Sequence, residues 1–368
     1  MENVITPWDV KGDIDYDKLQ SKFGVKPIGK VPKELADNIL FSRGTIFAQR
    51  DFERIISAIE NKKPFVMMTG LMPTGKMHLG HMLVAKQMVM YQKLGAKIYI
   101  CVADIEAYHA RQQSLADSKK IAIDDYLTNY AALGLDLDKC DVYFQSERSS
   151  DAKKTNSYYR LQNILARHAS FKEFEAVYGE ISPGKMISAL LQAADMLHAQ
   201  LPEFEGPIPV VVPVGIDQDP HIRLARDLVE RTKLFKFVQL SSTYNRFMPG
   251  LAGGKMSSSD PTSFIALTDS PADAKKKINK YAFSGGQATV EEHRKLGGNP
   301  DVDISFQYLS YFFEDDDEKL NQLSSDYKSG KLLSGEMKSY LIDKLTNFLT
   351  EHHAKREKHL AAVTKKFS

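Results

Sequence analysis

The chain has 368 residues, 43% hydrophobic and 26% charged, as expected of a soluble globular protein with one large or two moderate domains. A formal net charge of +2 does not announce a nucleic-acid partner, so any such contact must come from local basic groups. No apolar run could span a bilayer, the polar start MENVITPWDVKGDIDYDK has no secretory h-region, and two cysteines, Cys101 and Cys140, cannot build a disulfide scaffold or a four-cysteine zinc site; a reducing, cytoplasmic location is expected.

In chain order, residues 1–50 read as an irregular polar extension with a strand-like piece at Val25–Ile28 and an apolar patch at Ile39, Leu40 and Phe41. A helix starts over Phe52–Ile59. Phe65–Met68 is an apolar run that reads as a buried parallel strand. A turn with Gly70, Pro73 and Gly75 follows. His78-Leu79-Gly80-His81 then opens a helix with Leu83, Val84, Met88 and Tyr91 at helical spacing. Lys97–Val102 is a second strand. Ser114 caps a helix running to about Leu133, which Gly134 ends. Val142–Gln145 is a third strand, so the order β-α-β-α-β predicts a parallel sheet with right-handed crossovers. Residues 151–200 read as a helical insertion. Ile208–Val214 is a strong buried strand, and Asp219 or Pro220 opens a helix through Arg231. Past Ser259 the composition turns helical with mixed charge. The predicted fold class is therefore α/β: an extension over 1–50, a Rossmann-like parallel-sheet domain over 51–259, and an all-helical domain over 260–368.

Strand, glycine turn and helix N-terminus form a geometry that holds phosphate, because free N–H groups and the helix dipole point at the anion. His78 and His81, three apart, share a helix face and add donors; the Thr74-Gly75-Lys76 turn precedes them. A metal would need further ligands, and nothing nearby supplies them, so no metal site is predicted. Downstream, Gly253-Gly254-Lys255-Met256-Ser257-Ser258-Ser259 combines hinge glycines, one compact cation and hydroxyl donors, as a mobile phosphate clamp requires.

His78-Leu79-Gly80-His81 and Lys255-Met256-Ser257-Ser258-Ser259 resemble the two signature motifs of class I aminoacyl-tRNA synthetases. Gly215-Ile216-Asp217-Gln218-Asp219-Pro220-His221 looks like the tryptophanyl motif. Gly12–Gly24 and Ala282–Leu320 are similar to archaeal and eukaryotic tryptophanyl-tRNA synthetases, and the resemblance covers roughly the whole chain. It implies activation of tryptophan by attack of its carboxylate on the α-phosphate of ATP, then transfer to the 3′-terminal ribose of tRNA(Trp). The carboxylate is already ionised, so activation needs positioning and charge stabilisation rather than a base. His78, His81, Thr74 and Gly75 would hold the triphosphate, and Gly80 would let the adenine or ribose lie against the backbone. Lys255 with Ser257 and Ser258, beside Met256, would close on the β- and γ-phosphates. Mg²⁺ would accompany the ATP with no dedicated protein cage.

By the same resemblance, Glu106, Gln192 and Gln218 match residues that hold the substrate ammonium and carboxylate. Eukaryotic members bind the indole N–H with a tyrosine and a glutamine, whose positions fall here on Met68 and Cys101. Indole N–H is a donor only, so its acceptor must be a backbone carbonyl, a water, or Asp195, one turn beyond Gln192. Asp195 also stands where tyrosyl enzymes keep a phenol-binding aspartate, which leaves tyrosine as the rival substrate; against it, Leu71 replaces a second phenol-binding tyrosine. The tail resembles the family's anticodon-binding domain. Basic groups at Lys275, Lys276, Lys277 and Lys280, and at His352, His353, Lys355, Arg356 and Lys358, are candidates for RNA phosphate, whereas Glu314–Glu318 is expected to be solvated. A homodimer pairing through the helical insertion is expected, and no membrane contact.

Overall fold

A computed structural model describes residues 4–5, 10–11, 16–254, 256 and 260–368, with backbone alone for 4–5, 10–11 and 17. Its centre is a seven-stranded sheet of β1 (Lys26–Pro27), β2 (Ile46–Arg50), β3 (Val66–Leu71), β4 (Lys97–Val102), β5 (Cys140–Phe144), β6 (Val210–Gly215) and β7 (Ser241–Asn245), in spatial order β1-β2-β7-β6-β3-β4-β5. The five strands from β7 to β5 are parallel, and β2 and β1 add on antiparallel at one edge. Parallel strands covered on both faces bury unbroken apolar runs, which is why β3, β4 and β6 were legible.

Alternation along β3 and β4 sorts side chains between two cores. Met67, Ile98 and Ile100 face a cluster shared with α1 (Leu79–Lys93) and with the tail, including Met337, Leu341 and Leu349. Val66, Met68, Tyr99 and Cys101 face a second cluster. That one is built by α3 (Ala152–Ala166), α4 (Phe171–Tyr178), α5 (Pro183–Leu197) and α6 (Asp219–Arg231). The predicted helical stretch 151–200 is thus a layer over one face of the sheet.

Two expectations need correction. Residues 1–50 are not all irregular: Ile46–Arg50 is a sheet strand, with Ile46 to Gln49 buried. Arg50 ties that strand to the start of α6, holding Asp219 at 2.8 and 2.9 Å through two guanidinium nitrogens. Neither partner is near the other in sequence, so the strand had no local signal. Glu314 is likewise buried rather than solvated. It accepts from Tyr340 and pairs with Lys344 at 3.0 Å, and only its neighbours Asp315 to Glu318 are exposed.

The tail is helical, ending in α7 (Ser334–Phe367), which runs back along the sheet domain. There His352 donates to Asn129 at 2.7 Å and His353 to the Leu267 carbonyl at 3.0 Å. Arg356 donates to the Asp124 carbonyl at 3.0 Å and lies 3.6 Å from the Asp125 carboxylate. Lys277, on the helix Pro271–Tyr281, is similarly taken by Asp269 at 2.6 Å. These four members of the expected basic surface are engaged within the chain, while Lys275, Lys276, Lys280, Lys355 and Lys358 remain exposed. Among the described residues no helix is long and apolar enough to cross a membrane.

Candidate active site

β3 pairs with β4 along all six residues but with β6 only through Val66 and Met67. Beyond Met67 the two strands part. They are also where the chain's winding reverses, β4 lying to one side of β3 and β6 to the other, and the carboxyl ends at such a switch point form the crevice of open α/β sheets. The parting opens a cavity of about 310 Å³ between Met68–Met72 and Val212–Gly215. A larger cleft of about 540 Å³ lies by the C-terminal half of α1, lined by Lys86, Lys93 and His352, away from those strand ends. Size alone does not make it the site.

The phosphate turn follows β3 directly. Gly75 has φ +144°, a conformation that favours glycine. Gln113 donates to the Pro73 carbonyl at 2.7 Å, and the Met77 amide donates to Asp125 at 2.6 Å, so the turn is pinned from outside. His78 is the N-cap of α1. Its Nδ1 accepts from the Gly80 amide at 3.1 Å, and His81 Nδ1 accepts from the His78 amide at 3.2 Å, a capping box made by two imidazoles. Because each Nδ1 accepts, a neutral ring carries its proton on Nε2. The rings stack with centroids 3.8 Å apart. Burial, and then the neighbouring His81, push the His78 pKa down to about 2, so His78 is a neutral donor at pH 7.

The segment after the second signature motif is docked on this turn. The Leu79 amide donates to the Ile265 carbonyl at 3.1 Å and the Leu267 amide to the Met77 carbonyl at 2.9 Å. The Phe264 ring lies 5.0 Å from that of His78, and Met256 is buried against Gly80. Lys255, Ser257, Ser258 and Ser259 lie outside the described residues.

All six residues predicted for tryptophan line the one cavity: Met68, Cys101, Glu106, Gln192, Asp195 and Gln218. Glu106, on α2 (Asp104–Arg111), receives Gln192 Nε2 at 2.8 and 2.7 Å on its two oxygens. Burial pushes its carboxyl up to about 7, against those hydrogen bonds. Asp195 is buried and takes Tyr143 at 2.8 Å and Tyr158 at 2.7 Å on Oδ1, and Gln145 at 2.9 Å on Oδ2. Burial pushes its carboxyl up while Tyr158, Gln145, Tyr143 and the Cys101 thiol pull it down. Gln218 donates to Asp217 at 3.1 Å. The apolar part of the wall includes Leu71, Val84, Met196, Val212 and Ile222, and Thr69, Gln145 and His221 add polar side chains.

Sequence reasoning missed several residues around the site. Asp125 and Tyr126 sit on a π-helical turn, Ala122–Leu127, inside the helix that Ser114 caps; Tyr126 meets His81 edge-on at 5.5 Å. No local pattern marks a π turn. Tyr143, Gln145 and Tyr158 come from β5, its following turn and α3, and only the fold brings them to Asp195.

A parallel sheet opened at its switch point, with a histidine-capped helix beside an apolar cavity holding buried carboxylates, defines a nucleotide-dependent enzyme of the class I synthetase type. The family model described as tRNA synthetases class I (W and Y) matches residues 60–350, and the chain belongs to that family. Within it, the chain falls with the tryptophan branch of archaeal and eukaryotic type. It is 45% identical over 359 residues to the tryptophan–tRNA ligase of Methanocaldococcus jannaschii, covering 96% of this chain and 95% of that one. It is 42% identical to that of Methanopyrus kandleri, covering 96% and 94%. The crystal structure of tryptophanyl-tRNA synthetase from Aeropyrum pernix K1 superposes with a TM-score of 0.90 at 40% identity, covering 95% of each chain. The rival tyrosyl reading is not favoured by these relatives.

Proposed function

We propose that this chain activates L-tryptophan with ATP to tryptophanyl-adenylate and pyrophosphate, and then transfers tryptophan to the 3′ end of tRNA(Trp). The observation that carries this reading is the cavity between β3 and β6. It gathers two buried carboxylates and two glutamines behind the same strand-turn-helix whose N-terminus suits a phosphate chain.

In this reading the Glu106 carboxylate, steadied by Gln192, holds the substrate ammonium, with Gln218 across the cavity. The tryptophan carboxylate is then directed at the α-phosphate, where its oxygen forms a bond as the bond to pyrophosphate breaks. His78, neutral at pH 7, and His81 act as Nε2–H donors to the phosphates, the Thr74 hydroxyl and the Gly75 amide add donors, and Gly80 with Met256 borders the adenosine. Lys255, Ser257 and Ser258 close on the β- and γ-phosphates. Mg²⁺ would accompany the ATP and would offset the charge of its phosphates.

Asp195 is the acceptor for the indole N–H. A carboxylate has about four lone-pair sites, and two tyrosines and Gln145 use three. The fourth is beside the Cys101 thiol, a weak donor that the stronger indole N–H displaces. Met68, Leu71, Val212 and Ile222 then enclose the ring.

The exposed lysines of the tail, Lys275, Lys276, Lys280, Lys355 and Lys358, support phosphate contact with tRNA by residues 260–368. Exposed Phe171 and Ile187, on α4 and α5, support pairing of two copies through the helical layer 151–200 in the cytoplasm. The test of the two-step reaction is charging of a tRNA(Trp) transcript with labelled tryptophan. Adenylate formation without any charged tRNA would remove the second step.

A further inference from the structure

His221 lies on the first turn of α6, one turn beyond Gln218, and its side chain lines the same cavity. It is 3% exposed, and neither ring nitrogen has a hydrogen-bond partner among the described residues. Other polar side chains of that wall are engaged: Glu106 with Gln192, Gln145 with Asp195 and the Glu106 amide, Asp195 with two tyrosines, Gln218 with Asp217. An imidazole kept dry with both nitrogens unsatisfied costs stability unless something else fills the role. Its ring meets Tyr178 edge-on at 5.5 Å, and the charge of Glu106 reaches the Tyr178 phenol. His221 is therefore on the Glu106 side of the cavity, whereas Asp195 sits against Tyr143 and Tyr158.

We propose that His221 is a substrate-contacting residue whose imidazole lone pair accepts a hydrogen bond from the tryptophan ammonium. An ammonium group has three N–H donors and no acceptor, so it can satisfy Glu106 and His221 together. Burial lowers the His221 pKa to about 4, which keeps a lone pair available at pH 7 and avoids a second cation beside the ammonium. This inference rests on the reading that Glu106 marks the ammonium end.

The experiment uses calorimetric binding of three ligands to the full chain: tryptophan, tryptamine (ammonium without carboxylate) and indole-3-propionate (carboxylate without ammonium). His221→Phe should weaken tryptophan and tryptamine by about ten-fold, the value of one ordinary hydrogen bond, and leave indole-3-propionate within about two-fold. His221→Gln, which keeps an acceptor, should recover much of the loss. Equal losses for all three ligands, or none for tryptamine, would overturn the proposal. If His221→Phe does not fold, His221→Leu takes its place in the same comparison. Glu106→Gln is the separate control: it should also cost tryptamine affinity. If it does not, the reading of the ammonium end fails; if it does while His221→Phe does not, only the role of His221 fails.

Discussion

The sulfur of Met256 lies over the α-carbon of Gly80. A β-carbon on Gly80 would sit 3.3 Å from that sulfur and 3.0 Å from Cε1 and Nδ1 of the His78 ring. The two signature motifs, far apart in sequence, therefore meet at a position where only hydrogen fits without displacement. Gly80→Ala must shift His78, which caps α1, and Met256, which anchors the second motif. Overpacking of this kind costs about 1–3 kcal/mol. We expect kcat/KM for ATP to fall about ten- to hundred-fold, with tryptophan affinity nearly unchanged, as read by pyrophosphate exchange at varied ATP. A loss confined to tryptophan would contradict the assignment of this turn to the nucleotide.

Lys255→Ala should slow adenylate formation in single turnover by about 3 kcal/mol, as for a lost donor to developing charge. Tryptophan binding should barely change. Equal losses in both would mean that the loop does not act in the transition state.

Glu106 gives a pH prediction. Burial first, then the charge of Asp195, raise its carboxyl to about 7, and the Gln192 hydrogen bonds oppose this. An ammonium binds the ionised form, so kcat/KM for tryptophan should fall about ten-fold per pH unit below that value, while KM for ATP stays level. The stability effect has the opposite sense. Between the ordinary value of 4.5 and about 7 the folded chain binds a proton that the unfolded chain does not. That contribution is complete below 4.5 and is lost as pH rises through 7. Glu106→Gln should flatten both profiles; a persistent inflection would assign it to another group.

In the tail, a β-carbon on Gly285 would lie 1.9 Å from the Asn299 carbonyl oxygen. The segment of Asn299 also holds buried Asp303, which accepts from the Gly285 amide at 3.0 Å and from Tyr327 at 2.9 Å. Backbone cannot yield as a side chain can. Gly285→Ala should lower stability by at least about 3 kcal/mol, the upper end of ordinary overpacking, in thermal unfolding. An unchanged midpoint would show that the loop relaxes freely.

Much of the sheet was legible because its strands are apolar runs: Lys97–Val102 has the predicted bounds, and Asp219-Pro220 opens its helix, with Pro220 in the first turn where its missing N–H leaves no helical bond unmade. Ser241–Asn245 was not, because this fully buried strand reads SSTYN, and Ser241 spends its hydroxyl on the Asp51 carbonyl. The helix Asp104–Arg111 has no side-chain cap to announce it. Family resemblance pointed to Glu106, Gln192 and Gln218, which share one cavity. What anchors them was not: Tyr143 and Tyr158 reach Asp195 only after α3 folds over β5. His221 was visible only as a letter in a motif, since an imidazole without a partner is a fact of packing.

The most direct measurement is amino-acid-dependent ATP–pyrophosphate exchange with tryptophan and tyrosine side by side. The proposal that Asp195 accepts the indole N–H predicts exchange with tryptophan and, with Leu71 in place of a second phenol partner, little with tyrosine. Exchange with tyrosine alone, or with neither amino acid, would contradict the account.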